Sequence, residues 1–159
     1  MTIKVGDTIP ECTMKVMGEK GPKNITTSEL FDNKKVVMFA VPGAFTPGCS
    51  LTHLPGYVVK ADEIKAKGVD SIICMSVNDA FVMDAWGKAQ NAEHLIMLAD
   101  GSADFTKAMG LELDGNGFGM GIRCKRMAMV VDKGVVTHFV IEPPGGIVES
   151  SAEAILKVL

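Results

Sequence analysis

Cys49 lies in the stretch VPGAFTPGCSLTHLPGY, residues 41–57, directly after Thr46, Pro47 and Gly48. That order opens a helix: Thr46 is the N-cap, Pro47 takes N1 where a missing N–H does no harm, Gly48 is N2 and Cys49 is N3. In a capping box N3 belongs to Glu or Gln; here it carries a thiol. First-turn amides have no intrahelical acceptor, and the positive end of the helix dipole lies among them. The anion such a site holds is a thiolate, and the chemistry it offers is nucleophilic attack by sulfur.

Magnitudes decide what else is needed. A free cysteine, at a pKa of about 8.5, is only a few per cent thiolate at neutral pH, and bringing one to about 6 takes roughly 3.4 kcal/mol. A helix terminus gives about 0.3–1 kcal/mol, and up to about 2 when partly buried. A charge-assisted hydrogen bond supplies about 1.5–3 kcal/mol more. The helix start therefore falls short, and a cation from elsewhere in the chain is required. His53, four residues on along the same helical face, offers the alternative of a Cys–His dyad.

The other thiols are Cys12, Cys74 and Cys124, with spacings of 37, 25 and 50 residues along the four, no C-x-x-C pair and no zinc-ligand pattern. No bound metal is expected. Cys74, inside SIICMSV, reads as an inert thiol of a buried strand, and Cys12 as a core or surface thiol. Cys124 reads the same way, although Lys125 beside it offers a means of activation. The run GNGFGMG, 115–121, has the look of a phosphate-binding glycine loop but follows no clear strand and opens no amphipathic helix. A loop is expected there, and no dinucleotide cofactor.

Short apolar runs alternating with helical periods must position these residues, which argues an α/β chain. Residues 34–41, KKVVMFAV, read as a buried strand, and a helix follows over 47–67, kinked at Pro55 and stopped by Gly68. VDSIICMSV, 69–77, is the next strand. Asn78 or Asp79 then caps a helix whose apolar face is Phe81, Val82, Ala85, Trp86 and Ala89. HLIMLAD is a third strand, and Ser102 caps a short helix closed by Gly110. RMAMVVDKGVVTHFVIE reads as a hairpin turning at Asp132-Lys133-Gly134, and a capping box at Ser150–Glu153 opens a terminal helix. Without internal repeats or low-complexity linkers, residues 1–159 are expected to form one domain of thioredoxin-like order, a central mixed sheet flanked by helices.

At 159 residues, 47% hydrophobic, 22% charged and with formal net charge −3, the chain has the composition of an ordinary globular protein. Its densest basic cluster, Arg123-Cys124-Lys125-Arg126, is too short to track a phosphate backbone, so no nucleic-acid partner is expected. No apolar run approaches the length of a membrane span. The start, MTIKVGDTIPE, has no signal or transit character, so a cytoplasmic location is expected, although a processed organellar form would read the same.

PGAFTPGC, with Pro42, Thr46 and Cys49 in a P-x-x-x-T-x-x-C arrangement, resembles the active-site loop of the peroxiredoxins. The continuation S-x-x-H-x-P-G-Y is similar to their type II, atypical subgroup, as in plant type II enzymes and mammalian peroxiredoxin five. The resemblance runs on through CMSVNDAFVMDAWG, LADGSADFTKAMGLELD, RCKRMAMVVDKGVV and VESSAEAILKVL, nearly the whole chain. It implies a thioredoxin-like fold and a thiol-dependent peroxidase needing no cofactor. By resemblance Cys49 is the peroxidatic nucleophile, passing through a sulfenic acid, and Arg126 is the missing cation. Thr46 hydrogen-bonds the thiolate and the peroxide, Pro42 shields the sulfur, and the amides of Gly48 and Cys49 hold a substrate oxygen.

The resemblance also frames regeneration. The mammalian protein has a resolving cysteine in a loop after a Glu-Pro pair, and EPPGGIVESSAEA has none. Plant type II enzymes carry a cysteine matching Cys74, which the resemblance makes a possible resolving thiol. The expectation is one-cysteine-like chemistry on hydrogen peroxide and small organic hydroperoxides, with glutathione and glutaredoxin, or thioredoxin, as reductant. A homodimer is implied, with Phe45 at its interface. The alternatives are a redox sensor or chaperone-type protein that signals through Cys49 oxidation, and a general disulfide oxidoreductase, which the lack of C-x-x-C disfavours.

Overall fold

The apolar runs around 34–41, 69–77 and 127–132 become the middle of a single sheet in a computed structural model that describes residues 1–159. Strands β1 (Thr13–Gly18) and β2 (Gly21–Thr26) form an N-terminal hairpin, followed by α1 (Thr27–Phe31) and β3 (Lys35–Ala40). A π-helical turn, Cys49–His53, runs into α2 (Leu54–Ala66); then come β4 (Ser71–Ser76), α3 (Ala80–Ala89), β5 (Ile96–Ala99) and α4 (Asp104–Ala108). A small separate ribbon of β6 (Glu112–Asp114) and β7 (Ile122–Cys124) precedes β8 (Met127–Asp132), β9 (Val135–Ile141) and α5 (Ala152–Leu156).

The seven-stranded sheet has the order β2-β1-β5-β4-β3-β8-β9. Pairs β3–β4 and β4–β5 are parallel and the rest antiparallel, so the sheet is mixed, as expected. Successive strand residues point to opposite faces. Val37, Phe39, Val41, Ile72, Cys74, Ala128 and Val130 pack with α2, α3 and α5 on one face. Val36, Met38, Ala40, Ile73, Met75, Met127, Met129 and Val131 pack with α1 and α4 on the other. This alternation places Arg126, two residues before Ala128, on the face that holds Cys49. The Glu142 N–H donates to the Arg126 carbonyl at 2.9 Å, carrying the β8–β9 ladder to that point.

Several local expectations change. The irregularity anticipated at Pro55 is met by the π-helical turn just before it, in which the Leu54 N–H reaches the Cys49 carbonyl; a wider turn suits a ring that has no N–H and crowds the preceding turn. Helix α3 is capped by Asp79 but buries Ala80, Met83, Trp86 and Gly87, leaving Phe81 and Ala85 exposed. The reason is the close seat of Gly87 on β5, where a Cβ would lie 2.8 Å from Met97 Cγ. Ser102 caps nothing: Ala103 holds the N-cap of α4 with φ 63°, and the buried Asp100 carboxylate accepts the Phe105 and Thr106 amides. At α5 the cap is Ser151, because Ser150 is committed to Glu142. The run 115–121 is the connection between β6 and β7, with one 3₁₀ turn.

Candidate active site

The loop after β3 delivers Cys49 to the mouth of the helix. Its shape is held by neighbours: the Asn78 Oδ1 accepts the Ala44 amide at 3.0 Å and the Ser76 hydroxyl at 2.6 Å. Phe45 sits at φ 63°, half-exposed, with its ring 6.4 Å from that of Trp86. The Trp86 indole N–H in turn donates to Ser50 Oγ at 3.0 Å. The helix begins at Pro47, and the Thr46 carbonyl accepts the Ser50 amide at 2.9 Å as an N-cap carbonyl should.

The Thr46 hydroxyl departs from the capping expectation. It donates to the Gly43 carbonyl at 2.6 Å instead of accepting a first-turn amide. The amides of Gly48 and Cys49 consequently have no acceptor in the protein. Pro42 stands half-buried at the bend after β3. Cys49 itself is 0% exposed.

Arg126 reaches this point from the start of β8. Its Nη2 donates to Cys49 Sγ at 3.2 Å, and its Nη1 donates to His53 Nδ1 at 2.7 Å. Ion pairs in the protein are confined to Lys4–Asp7, Lys60–Glu63 and Lys88–Asp84, so no carboxylate neutralises this guanidinium. Gly48 makes room for it: a Cβ there would lie 3.3 Å from Arg126 Nη2 and 3.3 Å from Ile147 Cδ1. It is a cation without a counter-ion, aimed at the Cys49 sulfur.

His53 is no base for Cys49. Its Nδ1 is occupied by Arg126, and its Nε2–H donates to the Ser150 carbonyl at 3.0 Å. Burial pulls the imidazole down to about 4; the Ser150 contact opposes this, the Arg126 charge adds to it and the Glu142 charge opposes it. The ring is neutral at physiological pH. The Tyr57 hydroxyl donates to the same Ser150 carbonyl at 2.7 Å, and burial, reinforced by Cys74 and Glu142, pushes that phenol well up. The Glu142 carboxylate gathers the Val148 amide at 2.6 Å, the Ser150 amide at 2.6 Å and the Ser150 hydroxyl at 3.0 Å. Burial works against its ionisation, but those donors prevail and hold it below the usual carboxylate value.

The remaining thiols are quiet. Cys74 is fully buried on β4 between Phe39 of β3 and Met97 of β5, on the Cys49 face of the sheet, and burial raises its pKa well up. Cys124 is pushed up to about 12 by burial, against a smaller lowering by Thr106, so Lys125 does not activate it. Burial also raises Cys12, helped by Asp100 and Asp104. Sequence reasoning missed Tyr57, Glu142 and Ser150. A signal was present in part, since Cys49, His53 and Tyr57 recur at four-residue steps along one stripe.

Comparison with known proteins agrees with this geometry. Residues 4–156 match the Redoxin family. Peroxiredoxin-2D of Arabidopsis thaliana is 47% identical over 159 residues, 99% of this chain and 98% of that protein. The chloroplastic Peroxiredoxin-2E of the same plant is 45% identical over 163 residues, 99% of this chain and 70% of that protein. Among solved structures, reduced Prx3 of Vibrio vulnificus in complex with hydrogen peroxide superposes with a TM-score of 0.95 at 56% identity, covering 99% of each chain. A mixed sheet of this topology, a buried thiol facing an unpaired guanidinium, and full-length likeness to type II relatives make this chain a peroxiredoxin, a thiol-dependent peroxidase of thioredoxin-like fold.

Proposed function

We propose that the chain, acting as one domain over residues 1–159, reduces hydrogen peroxide and small organic hydroperoxides at Cys49. The Cys49 thiolate attacks the terminal oxygen of the peroxide, an S–O bond forms as the O–O bond breaks, and the departing alkoxide or hydroxide takes a proton. The products are a sulfenic acid and an alcohol or water, the first rung of cysteine oxidation. The single observation that carries this reading is the Arg126 Nη2 contact to Cys49 Sγ at 3.2 Å by a guanidinium free of carboxylates.

Arg126 holds the sulfur as thiolate and steadies the charge that grows on the leaving oxygen. The amides of Gly48 and Cys49, which have no protein acceptor, are positioned at the helix start to receive a peroxide oxygen. Thr46, its hydrogen given to Gly43, keeps oxygen lone pairs to accept from a peroxide O–H. Pro42 closes the approach along the end of β3. A sulfur 0% exposed favours small peroxides over bulky ones.

Regeneration runs through an external thiol. A thiol of glutathione, glutaredoxin or thioredoxin condenses with the sulfenic acid, releasing water and leaving a mixed disulfide; a second donor thiol attacks that disulfide, restoring the Cys49 thiol and leaving the donor as its own disulfide. Cys74 keeps to the core, because both its neighbouring strands are paired and it is out of reach of solvent. Four free cysteines suit a reducing compartment, the cytoplasm. The protein works as a homodimer that covers Phe45.

Stopped-flow oxidation by hydrogen peroxide, followed by turnover with each thiol donor, tests the proposal. Cys49→Ser should abolish oxidation, and Arg126→Ala should slow it by about 10- to 100-fold. Cys74→Ser should keep turnover with glutathione and glutaredoxin. Loss of all turnover in Cys74→Ser would make Cys74 the resolving thiol. Fast oxidation with no turnover by any donor would favour a sensor.

A further inference from the structure

His53 is a buried titratable group in contact with Arg126 that the peroxidase reading leaves without a task. Its ring is 1% exposed and is wedged 4.9 Å from Phe39 and 5.7 Å from Tyr57, centroid to centroid, so it cannot swing. Each nitrogen faces a partner of fixed polarity. The Ser150 carbonyl can only accept, so Nε2 carries the hydrogen; the Arg126 guanidinium can only donate, so Nδ1 must be bare. One tautomer of the neutral ring satisfies both.

Resting on the assignment of Cys49 as nucleophile and Arg126 as its cation, we propose that His53 is the positioning residue for the reaction. It grips Arg126 Nη1 so that Nη2 is presented to the Cys49 sulfur, and residues 142–150 set its tautomer. The guanidinium is planar and rigid, so fixing one of its terminal nitrogens fixes the direction of the other. No carboxylate does this job, and a carboxylate would do it badly: it would hold the arginine but cancel the charge the thiolate needs. A neutral imidazole acceptor orients the cation and leaves its charge intact. Protonation of the ring would place N–H against N–H and positive charge against positive charge, which burial further opposes.

The segment 142–150 belongs to the device because Glu142 gathers the Val148 and Ser150 amides and so fixes the Ser150 carbonyl that receives His53. The link runs from a carboxylate at the end of β9, through one carbonyl and one imidazole, to the guanidinium.

Three substitutions separate this from a packing role. Asn places Oδ1 where the histidine has Nδ1; Gln places Nε2 where the histidine has Nε2; Ala removes both. The readout is the second-order rate of Cys49 oxidation by hydrogen peroxide, followed through the sole tryptophan, Trp86, which bonds to Ser50 beside the nucleophile. His53→Ala should slow oxidation about 10-fold or more, and His53→Gln about as much, while His53→Asn stays within about 3-fold of the parent. In an Arg126→Ala background, His53→Ala should add less than about a 2-fold change, since it acts through that arginine.

Equal slowing by His53→Ala in both backgrounds, rescue by Gln and not by Asn, or no slowing at all would each overturn the proposal. Should the alanine variant not fold, the Asn and Gln pair, close in size to histidine, still decides. An Arg126→Ala variant that oxidises at the parent rate would refute the arginine assignment itself, and the His53 proposal with it. A slow Arg126→Ala variant beside an unaffected His53→Ala variant would refute the His53 proposal alone.

Discussion

His53 makes the fold acid-sensitive in a calculable way. Its pKa is depressed to about 4 in the folded protein from an ordinary 6.5, chiefly by burial. The unfolded chain therefore binds the proton first, and the stability contributed by keeping the ring neutral is complete above about pH 6.5 and drains away as the pH falls toward about 4. The loss is on the order of 3 kcal/mol. Urea unfolding at about pH 7 and about pH 5 should show it as a falling midpoint, and in His53→Asn that part of the fall should disappear. Gly48 carries a second prediction. Its backbone is helical, φ −62° and ψ −38°, so alanine fits the chain, but the new Cβ would press on Arg126 Nη2 and Ile147 Cδ1. Gly48→Ala should leave thermal stability within about 1 kcal/mol of the parent. It should slow peroxide oxidation about 10-fold, because the guanidinium is displaced by tenths of an ångström.

At the scale of elements, the site is a meeting of one helix start, one strand start and one connecting segment. Residues 142–150 are folded on themselves by a single carboxylate, Glu142, and tied to the helix by the Ser150 carbonyl, which accepts from His53 and Tyr57. Glu142→Ala should strand the Val148 and Ser150 amides and cost about 2 kcal/mol or more. It should also admit protease cleavage within 143–150 and slow oxidation, whereas Glu142→Gln, which keeps one acceptor oxygen, should fall between.

How much of this could be read from sequence follows the range of each interaction. Strands β3, β4 and β8 and the start of the helix at Pro47 were legible because apolar runs, proline and threonine act within a few residues. The capping box at Thr26–Glu29 that opens α1 is equally local, but no expectation was drawn from it. The buried face of α3 was not legible, since Phe81 is a better hydrophobe than Gly87 and only the close seat of Gly87 on Met97 settles the rotation. The need for a distant cation was derivable from energies, but its identity came from family likeness, and the reach of Arg126 to Cys49 spans 77 residues. Ser150 looked like a helix cap and is instead a carbonyl station for two donors, a role no spacing rule describes.

For the whole molecule, the exposed Phe45 beside Trp86 bears on assembly. If a homodimer covers it, Phe45→Glu should shift sedimentation from dimer to monomer while Arg126 and Cys49 stay in place. A monomeric parent protein would discard the interface. No helix is long and apolar enough to cross a membrane.

The two-faced sheet has a last consequence, for self-inflicted damage. Of the buried methionines, Met14, Met38, Met75, Met109, Met127 and Met129 lie in the core on the far side from Cys49, whereas Met83 alone shares the core of the nucleophile, whose walls are built largely of valine, isoleucine, leucine, alanine and aromatic rings. Thioethers are themselves targets of oxidants. A layer of hydrogen-bonded backbone thus separates most of the buried thioethers from the side on which peroxide is received, and leaves Met120, packed against Gly43 of the active-site loop, as the thioether nearest a stray oxidant.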